Sequence, residues 1–328
     1  MNDLQDALTS LPEMLKASGL PQDGWTPSLL SRRNDKVMHR VVVGLSHPSH
    51  GDLVLKRVFR PVSPTAFSTQ AARQIAVAKG FSDCPSILAV DEDQQTILMH
   101  RLPGQTLFDL CAFSPMICHA DPLRRAGAWT DRFHRAFGIS TRQFQPRHAK
   151  EHLGSVLKRI ERREVEVPRR KLFLQLADAV LASAPGEQDC GTVAAISHGD
   201  LNCRNIVLQG DAAAGLDFGP GKLLPVGHDL ARLFCHYGAL CVSEVDQKKG
   251  RDGPLPGVDL SAFFAGYEVV PMTDRTVRFL TLVRLLRDWQ QMPKNRINRS
   301  LAQTERLTGI ARLAKAALFQ LTEGDSSR

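Results

Sequence analysis

The chain has 328 residues, 43% of them hydrophobic and 23% charged, an ordinary globular balance with length for about two domains. No run of eighteen apolar residues occurs, which excludes a helical membrane span. A formal charge of +8 favours an anionic partner, such as a nucleotide, a phosphorylated sugar, an anionic lipid surface or nucleic acid.

The first stretch, MNDLQDALTSLPEML, carries Asp3 and Asp6 but no basic region. Its apolar stripe of Leu4, Ala7, Leu8 and Leu11 reads as a short amphipathic helix and not as an export signal, which places the protein in the cytoplasm. Four β-like runs follow: Val37–Leu45, Gly51–Phe59, Ser86–Asp91 and Thr96–Leu102. Turn-rich pieces such as SHPSHGD and DEDQQ separate them, the pattern of an antiparallel meander. One helix, over Pro64–Lys79, interrupts the strands. The pattern changes at RLPGQ, the expected hinge between a sheet-rich domain over 1–102 and a larger helical domain over 103–328.

Beyond the hinge the period becomes helical. WTDRFHRAFG puts Trp129, Phe133, Ala136 and Phe137 on one face, with Gly138 placed to end the helix. The block from Arg147 to Lys171 has nine Lys/Arg against four Asp/Glu, mixed signs that read as an exposed helix. It contains no aromatic residue, so stacking on single-stranded bases is not supported and no nucleic-acid partner is expected. KLFLQLADAVLASAPG carries a stripe of Leu172, Leu176, Val180 and Leu181, and two more helical stretches close the chain.

Between these helices stands AAISHGDLNCRNIVLQGDAAAGLDFGPG. TVAAI leads into an HGD turn, and NIVLQGDAAAGLDFG reads as strand, Gln-Gly-Asp turn and strand. Asp200 and Asn205 lie on the first turn, and Asp217 ends the returning strand. Such a set suits phosphoryl transfer. That reaction needs oxygen ligands for Mg²⁺, a cation on the phosphates, and a group that orients the acceptor hydroxyl and takes its proton. Asn205 and Asp217 fit the metal, Asp200 fits the base, and Gly199 allows the sharp turn beside it.

HGDLNCRNIV, LDFG and GHDLARL together resemble the aminoglycoside phosphotransferase and choline kinase family, which has the protein-kinase-like fold. The resemblance spans roughly Met38 to Phe234 and implies a bilobal α+β architecture, with a small antiparallel-sheet lobe and a larger, mainly helical lobe. By that resemblance LVLKRV supplies Lys56 for the α/β-phosphates. ILMHRLPGQTL supplies the backbone of His100 and Leu102 for adenine, and Asp229 braces the catalytic loop. His198 packs and hydrogen-bonds that loop as a structural group. The family usually pairs the strand lysine with a helix Glu, yet no Asp or Glu occurs between Asp52 and Asp83. Gln74 stands where that Glu is expected and brings no charge. LLSRRNDKVMHR also lacks the glycines of a phosphate loop.

The expected activity is thus an ATP- and Mg²⁺-dependent small-molecule kinase acting on a hydroxyl of a sugar, amino sugar or amino alcohol, with GTP as the alternative donor. The competing reading is a nucleotide-binding pseudokinase that acts as a scaffold, which the missing Glu favours. A protein kinase is disfavoured, because H-R-D and A-P-E signatures are lacking and GHDLARL follows DFG after a short gap. Arg278, Arg284, Arg287, Lys294, Arg296 and Arg299, expected on the late helices, lean away from a polycationic acceptor. In the loop Val242–Asp259, the acids Glu244, Asp246, Asp252 and Asp259 are nearly cancelled by Lys248, Lys249 and Arg251. The seven cysteines form no C-x-x-C pair and are expected to be buried, reduced residues, with Cys203 inside the motif a candidate reactive thiol.

Overall fold

The computed structural model describes residues 3–34, 38–60, 63–113, 118–184, 191–243 and 254–325. Val37 at the head of the first expected strand, Cys190, and the charges from Glu244 to Asp252 lie outside the described residues. The chain divides into two compact units, Met1–Gly104 with Ala214–Gly221, and Gln105–Ala213 with Lys222–Arg328.

The first unit is built on an antiparallel sheet of β1 (Thr26–Asn34), β2 (His39–His47), β3 (Gly51–Arg60), β4 (Ile87–Asp91) and β5 (Thr96–His100), in the order β1-β2-β3-β5-β4. Side chains alternate between its two faces. Val41, Val43, Leu45, Leu53, Leu55 and Leu98 turn to one face, where α1 (Asp3–Leu8) and α2 (Leu11–Ala17) cover them with Ala7, Met14 and Leu15. The N-terminal stripe read from sequence is therefore a pair of short helices. The other face carries Val58, Ile97 and Met99 under Phe67 and Ala71 of α3 (Pro64–Gly80). Ser63 and Pro64 explain where α3 starts: the Ser63 hydroxyl accepts the Ala66 N–H at 3.2 Å, and proline suits the first helical turn.

β1 was not legible as a strand, because it is exposed along its whole length and shows no apolar alternation. It pairs with β2 from Thr26↔Ser46 to Asn34↔His39, so the partner's pattern and not its own places it.

The second unit is mainly helical: α4 (Leu107–Phe113), α5 (Ala120–Ala136), α6 (Arg147–Glu161), α7 (Arg170–Ala182), α8 (Gly227–Leu240), α9 (Gly257–Phe264), α10 (Arg275–Gln290) and α11 (Leu301–Asp325). A small antiparallel sheet of β7 (Ile139–Gln143), β8 (Gly191–Ile196) and β11 (Leu223–Pro225) has β8 at its centre. A second has the order β10-β9-β6, from β6 (Gln105–Thr106), β9 (Ile206–Gln209) and β10 (Ala212–Gly215). The hairpin expected after Asn205 is β9 and β10, and its tight turn takes Gly210 at φ 51°.

α5 ends as expected, with Gly138 at φ 82° donating its N–H to Arg135. α7 differs from expectation: its buried face is Phe173, Leu176, Ala177 and Val180, one position round from the stripe of Leu172 and Leu181. Phe173 meets Trp289 edge to face at 5.6 Å, and that large ring sets the rotation of the helix. α5 and α9 approach closely at Gly127, where a Cβ would run into the Phe263 carbonyl. Gly127→Ala is expected to cost about 1–3 kcal/mol, the usual overpacking range, and a urea melt checks it.

Candidate active site

The central strand β8 delivers Ser197, His198, Gly199 and Asp200. Gly199 has φ 83°, a value that favours glycine, and it turns the chain back so that Asp200 follows. His198 is fully buried against the stacked rings of Trp129 and Phe133, with centroids 6.0 and 5.8 Å away. Its Nδ1 accepts the Asp200 N–H at 3.3 Å, which leaves Nε2 to carry the ring proton.

The turn is fastened from α8. Asp229 Oδ2 accepts the His198 N–H at 2.6 Å, and its Oδ1 accepts the Gly199 N–H at 3.1 Å. His134 Nε2 lies 3.3 Å from Oδ2, and His134 Nδ1 lies 2.9 Å from the Tyr267 hydroxyl. Burial works to raise the Asp229 pKa. The hydrogen bond and charge of His134, with the His198 contacts, outweigh that and hold the carboxyl below its ordinary value. Burial pushes the Tyr267 phenol up, so it stays protonated, and its hydroxyl hydrogen-bonds His134 Nδ1. A buried chain of tyrosine, histidine and aspartate thus fixes two backbone amides next to Asp200.

The Asp200 side chain is half exposed. Its backbone carbonyl accepts from Asn202 Nδ2 and Asn205 Nδ2, each at 2.9 Å, and Asn205 Nδ2 also lies 3.3 Å from Asp200 Oδ2. Because both Asp200 oxygens only accept, the Asn205 amide must present its NH₂ to them. Its Oδ1 is then turned away and carries no hydrogen bond among the described residues. Arg232 Nη1 donates to Asp200 Oδ1. Sequence reading passed over Arg232, although GHDLARL contains it. The available signal was spacing, since Arg232 is one helical turn after Asp229 and shares its side of α8.

Lys56 and Asp217 belong to the first unit. Val42, Lys56 and Ile97 are cross-strand partners, as are Arg40 and Val58, so Arg40 and Lys56 share the sheet face that carries α3. Lys56 Nζ donates to Asp217 Oδ1 at 2.5 Å, and Arg40 Nη1 reaches Asp217 Oδ2 at 3.4 Å. Asp217 sits at φ 56°, a left-handed conformation uncommon for a residue with a side chain. The next residues run close to α3, where Gly221 makes room for the Arg73 guanidinium.

Gln74 is buried on the face of α3 that also turns Phe67, Ala71 and Val77 inward. No hydrogen bond joins it to Lys56, and its Nε2 has no partner among the described residues. The lysine is held by Asp217 instead.

At the end of β5 the His100 N–H is already donated to the Ser86 carbonyl at 3.0 Å, so it is not available to hold an adenine. Leu102 makes no backbone hydrogen bond among the described residues. Cys203 is fully buried, and burial drives its thiol pKa well up, followed by its contact with Cys241. Its burial matches the expectation for the cysteines as a group, and the alternative of a reactive thiol at Cys203 is not supported. Cys84, Cys111, Cys235 and Cys241 are also buried and free, while Cys118 is free and exposed.

A five-stranded antiparallel sheet with its lysine–aspartate pair, and a helical unit with its braced HGD turn, define a phosphotransferase of the kinase-like α+β class. Residues 39–259 match the phosphotransferase enzyme family known as APH, and the chain belongs to that family. Solved structures share the fold at low identity. A choline/ethanolamine kinase family protein from Mesorhizobium loti is 18% identical, with 93% of this chain and 92% of that one covered and a TM-score of 0.52. A macrolide 2'-phosphotransferase from Brachybacterium faecium is 18% identical, covering 93% and 97%, at TM-score 0.53. The amicoumacin kinase hAmiN, solved with AMP-PNP and Ca²⁺, is 14% identical, covering 98% and 100%, at TM-score 0.50. None of the curated proteins compared gives a significant match.

Proposed function

We propose that this phosphotransferase is an ATP- and Mg²⁺-dependent kinase that moves the γ-phosphoryl group to a hydroxyl of a sugar, amino sugar or amino alcohol. The observation that carries the reading is the half-exposed Asp200 carboxylate on a turn locked by the buried Asp229. In this reading Asp200 orients the acceptor hydroxyl and takes its proton. Lys56 binds the α/β-phosphates, and the His100 carbonyl and the Leu102 backbone hold the base. ATP is the proposed donor, with GTP as the alternative nucleotide. The AMP-PNP and Ca²⁺ complex of the amicoumacin kinase supports nucleotide and divalent-metal use on this fold.

Asn205 and Asp217 are the proposed metal ligands. Their donor set fits a hard cation, since the outward Asn205 Oδ1 is a neutral oxygen and Asp217 supplies a charged one. The bound cation would neutralise phosphate oxygens during transfer. Asp217→Ala is expected to abolish the Mg²⁺ dependence of nucleotide binding, measured by calorimetry with and without the metal. An unchanged Mg²⁺ response would refute the assignment.

Activity itself is tested by ADP formation over a panel of hydroxyl metabolites. Nucleotide binding with no acceptor-stimulated turnover would replace the kinase by the pseudokinase reading, which Gln74 favours because it puts no carboxylate beside Lys56. Gln74 and Lys56 are both buried, so the cost of desolvating the new carboxylate offsets most of its attraction, and Gln74→Glu is expected to tighten nucleotide binding by on the order of 1 kcal/mol. Adding Lys56→Met should erase the gain, because the coupling needs both charges. A gain that survives loss of Lys56 would place the new carboxylate's effect elsewhere.

A further inference from the structure

The second unit holds a cleft of about 450 Å³ that no step of the proposed reaction uses. Its walls are the residues before and at the start of α7, the segment after α10, and the first turns of α11. Five cations line it: Arg169, Arg170, Lys294, Arg296 and Arg299; no carboxylate does. Two of the five are engaged. Lys294 pairs with Glu166, and Arg299 donates to the carbonyls of Pro293 and Lys294. Arg169, Arg170 and Arg296 are exposed and have no acidic partner among the described residues. Like charges gathered in a concavity repel one another unless an anion joins them.

The cleft is also held firmly. Its floor includes the buried Val167 and Leu307. The buried Trp289 donates its indole N–H to the Pro168 carbonyl at 2.9 Å. The next residue, Arg169, takes φ 53°, so the chain enters α7 through a left-handed turn whose arginine lines the cleft. A volume near 450 Å³ is within the range of small-molecule sites. Guanidinium forks take carboxylate and phosphate oxygens alike, but three cations without an acidic partner favour a phosphate, which carries nearly two negative charges, over a singly charged carboxylate. No aromatic side chain lines the cleft, which disfavours a nucleobase.

We propose that this cleft binds a small organic phosphate, a phosphomonoester or bisphosphate, through Arg169, Arg170 and Arg296. The proposal is independent of the kinase reading. Ile297 and Leu301 are exposed in the same stretch and would suit a lipid surface, so anionic vesicles form the competing arm of the test.

The experiment is calorimetry on the full chain with glucose 6-phosphate, fructose 1,6-bisphosphate and inorganic phosphate, in parallel with phosphatidylglycerol vesicles. The sugar phosphates are expected to bind, with affinity falling as salt rises. The triple variant Arg169→Ala, Arg170→Ala, Arg296→Ala is expected to weaken binding at least tenfold, and Lys56→Met to leave it unchanged. The triple Lys variant should retain part of the affinity, because charge stays while the fork geometry is lost. If the triple Ala change lowers the melting point, Arg296→Glu alone gives the same reading from an exposed loop. Binding that is unaffected by these variants overturns the proposal, as does binding lost only with Lys56→Met, which would belong to the nucleotide site. Binding to vesicles but not to soluble phosphates overturns it in favour of a membrane surface.

Discussion

Asp200→Asn is expected to lower kcat by about 10²-fold or more, the usual size of a general-base contribution, with nucleotide affinity within a factor of about two. The substitution is close to isosteric. His198 Nδ1 accepts from the Asp200 backbone N–H, and Asn202 and Asn205 donate to its carbonyl, so the main-chain anchors survive the change. What is lost is the carboxylate itself, together with its attraction for Arg232. The variant separates two roles for that carboxylate. As a base it is required for turnover and dispensable for nucleotide binding. As a mere anchor for Arg232 its loss would loosen α8 and lower the melting point with little specific effect on kcat. Steady-state kinetics on an accepted substrate, with a thermal melt beside it, decide between them. Turnover within about twofold of the parent would remove Asp200 from the chemistry. Arg232→Ala is the companion variant, and it should lower kcat less, because Asn205 still contacts Asp200.

The sequence carried the chemistry-bearing residues further than it carried their partners. HGD, the Asn five residues on, DFG and GHD are local patterns, and the turn, hairpin and helix they imply are local structures. Strands β2 to β5 and the helix over Pro64–Lys79 were legible for the same reason, as local runs set between turn-rich pieces. Long-range outcomes were not. The pairing of Lys56 with Asp217 is one: an uncharged Gln74 on α3 gives the ammonium no counter-charge, and the lysine reaches Asp217 instead. The segment Ala214–Gly221 joins the first unit although its chain neighbours belong to the second, which no short-range pattern signals. The bracing of Asp229 by His134 and Tyr267 depends on α5 and the residues after α9 meeting across glycines, a matter of packing and not of period.

Asp229→Ala should be the most destabilising of these variants, by about 3–5 kcal/mol, the range for removing one partner of a buried charged network. The carboxylate is nearly solvent-free, and it satisfies two backbone N–H groups and one imidazole. Alanine leaves all three donors buried without an acceptor, and each unsatisfied backbone N–H costs about 1–3 kcal/mol. Asp229→Asn keeps one acceptor oxygen but turns an NH₂ toward the other donors, so its loss should be smaller than that of alanine. The pH dependence follows from the direction of the shift. The folded-state pKa lies below the ordinary value of 3.8, so the ionised group stabilises the fold above that value. The contribution is lost as pH falls through the folded pKa, where both states are protonated. The parent should therefore lose stability as pH drops below 3.8, and Asp229→Asn should show a shallower loss over that window. Urea melts at a series of pH values, followed by circular dichroism, read both effects. A loss under about 1 kcal/mol for alanine would mean that water replaces the carboxylate, and that the HGD turn keeps its shape without the anchor on α8.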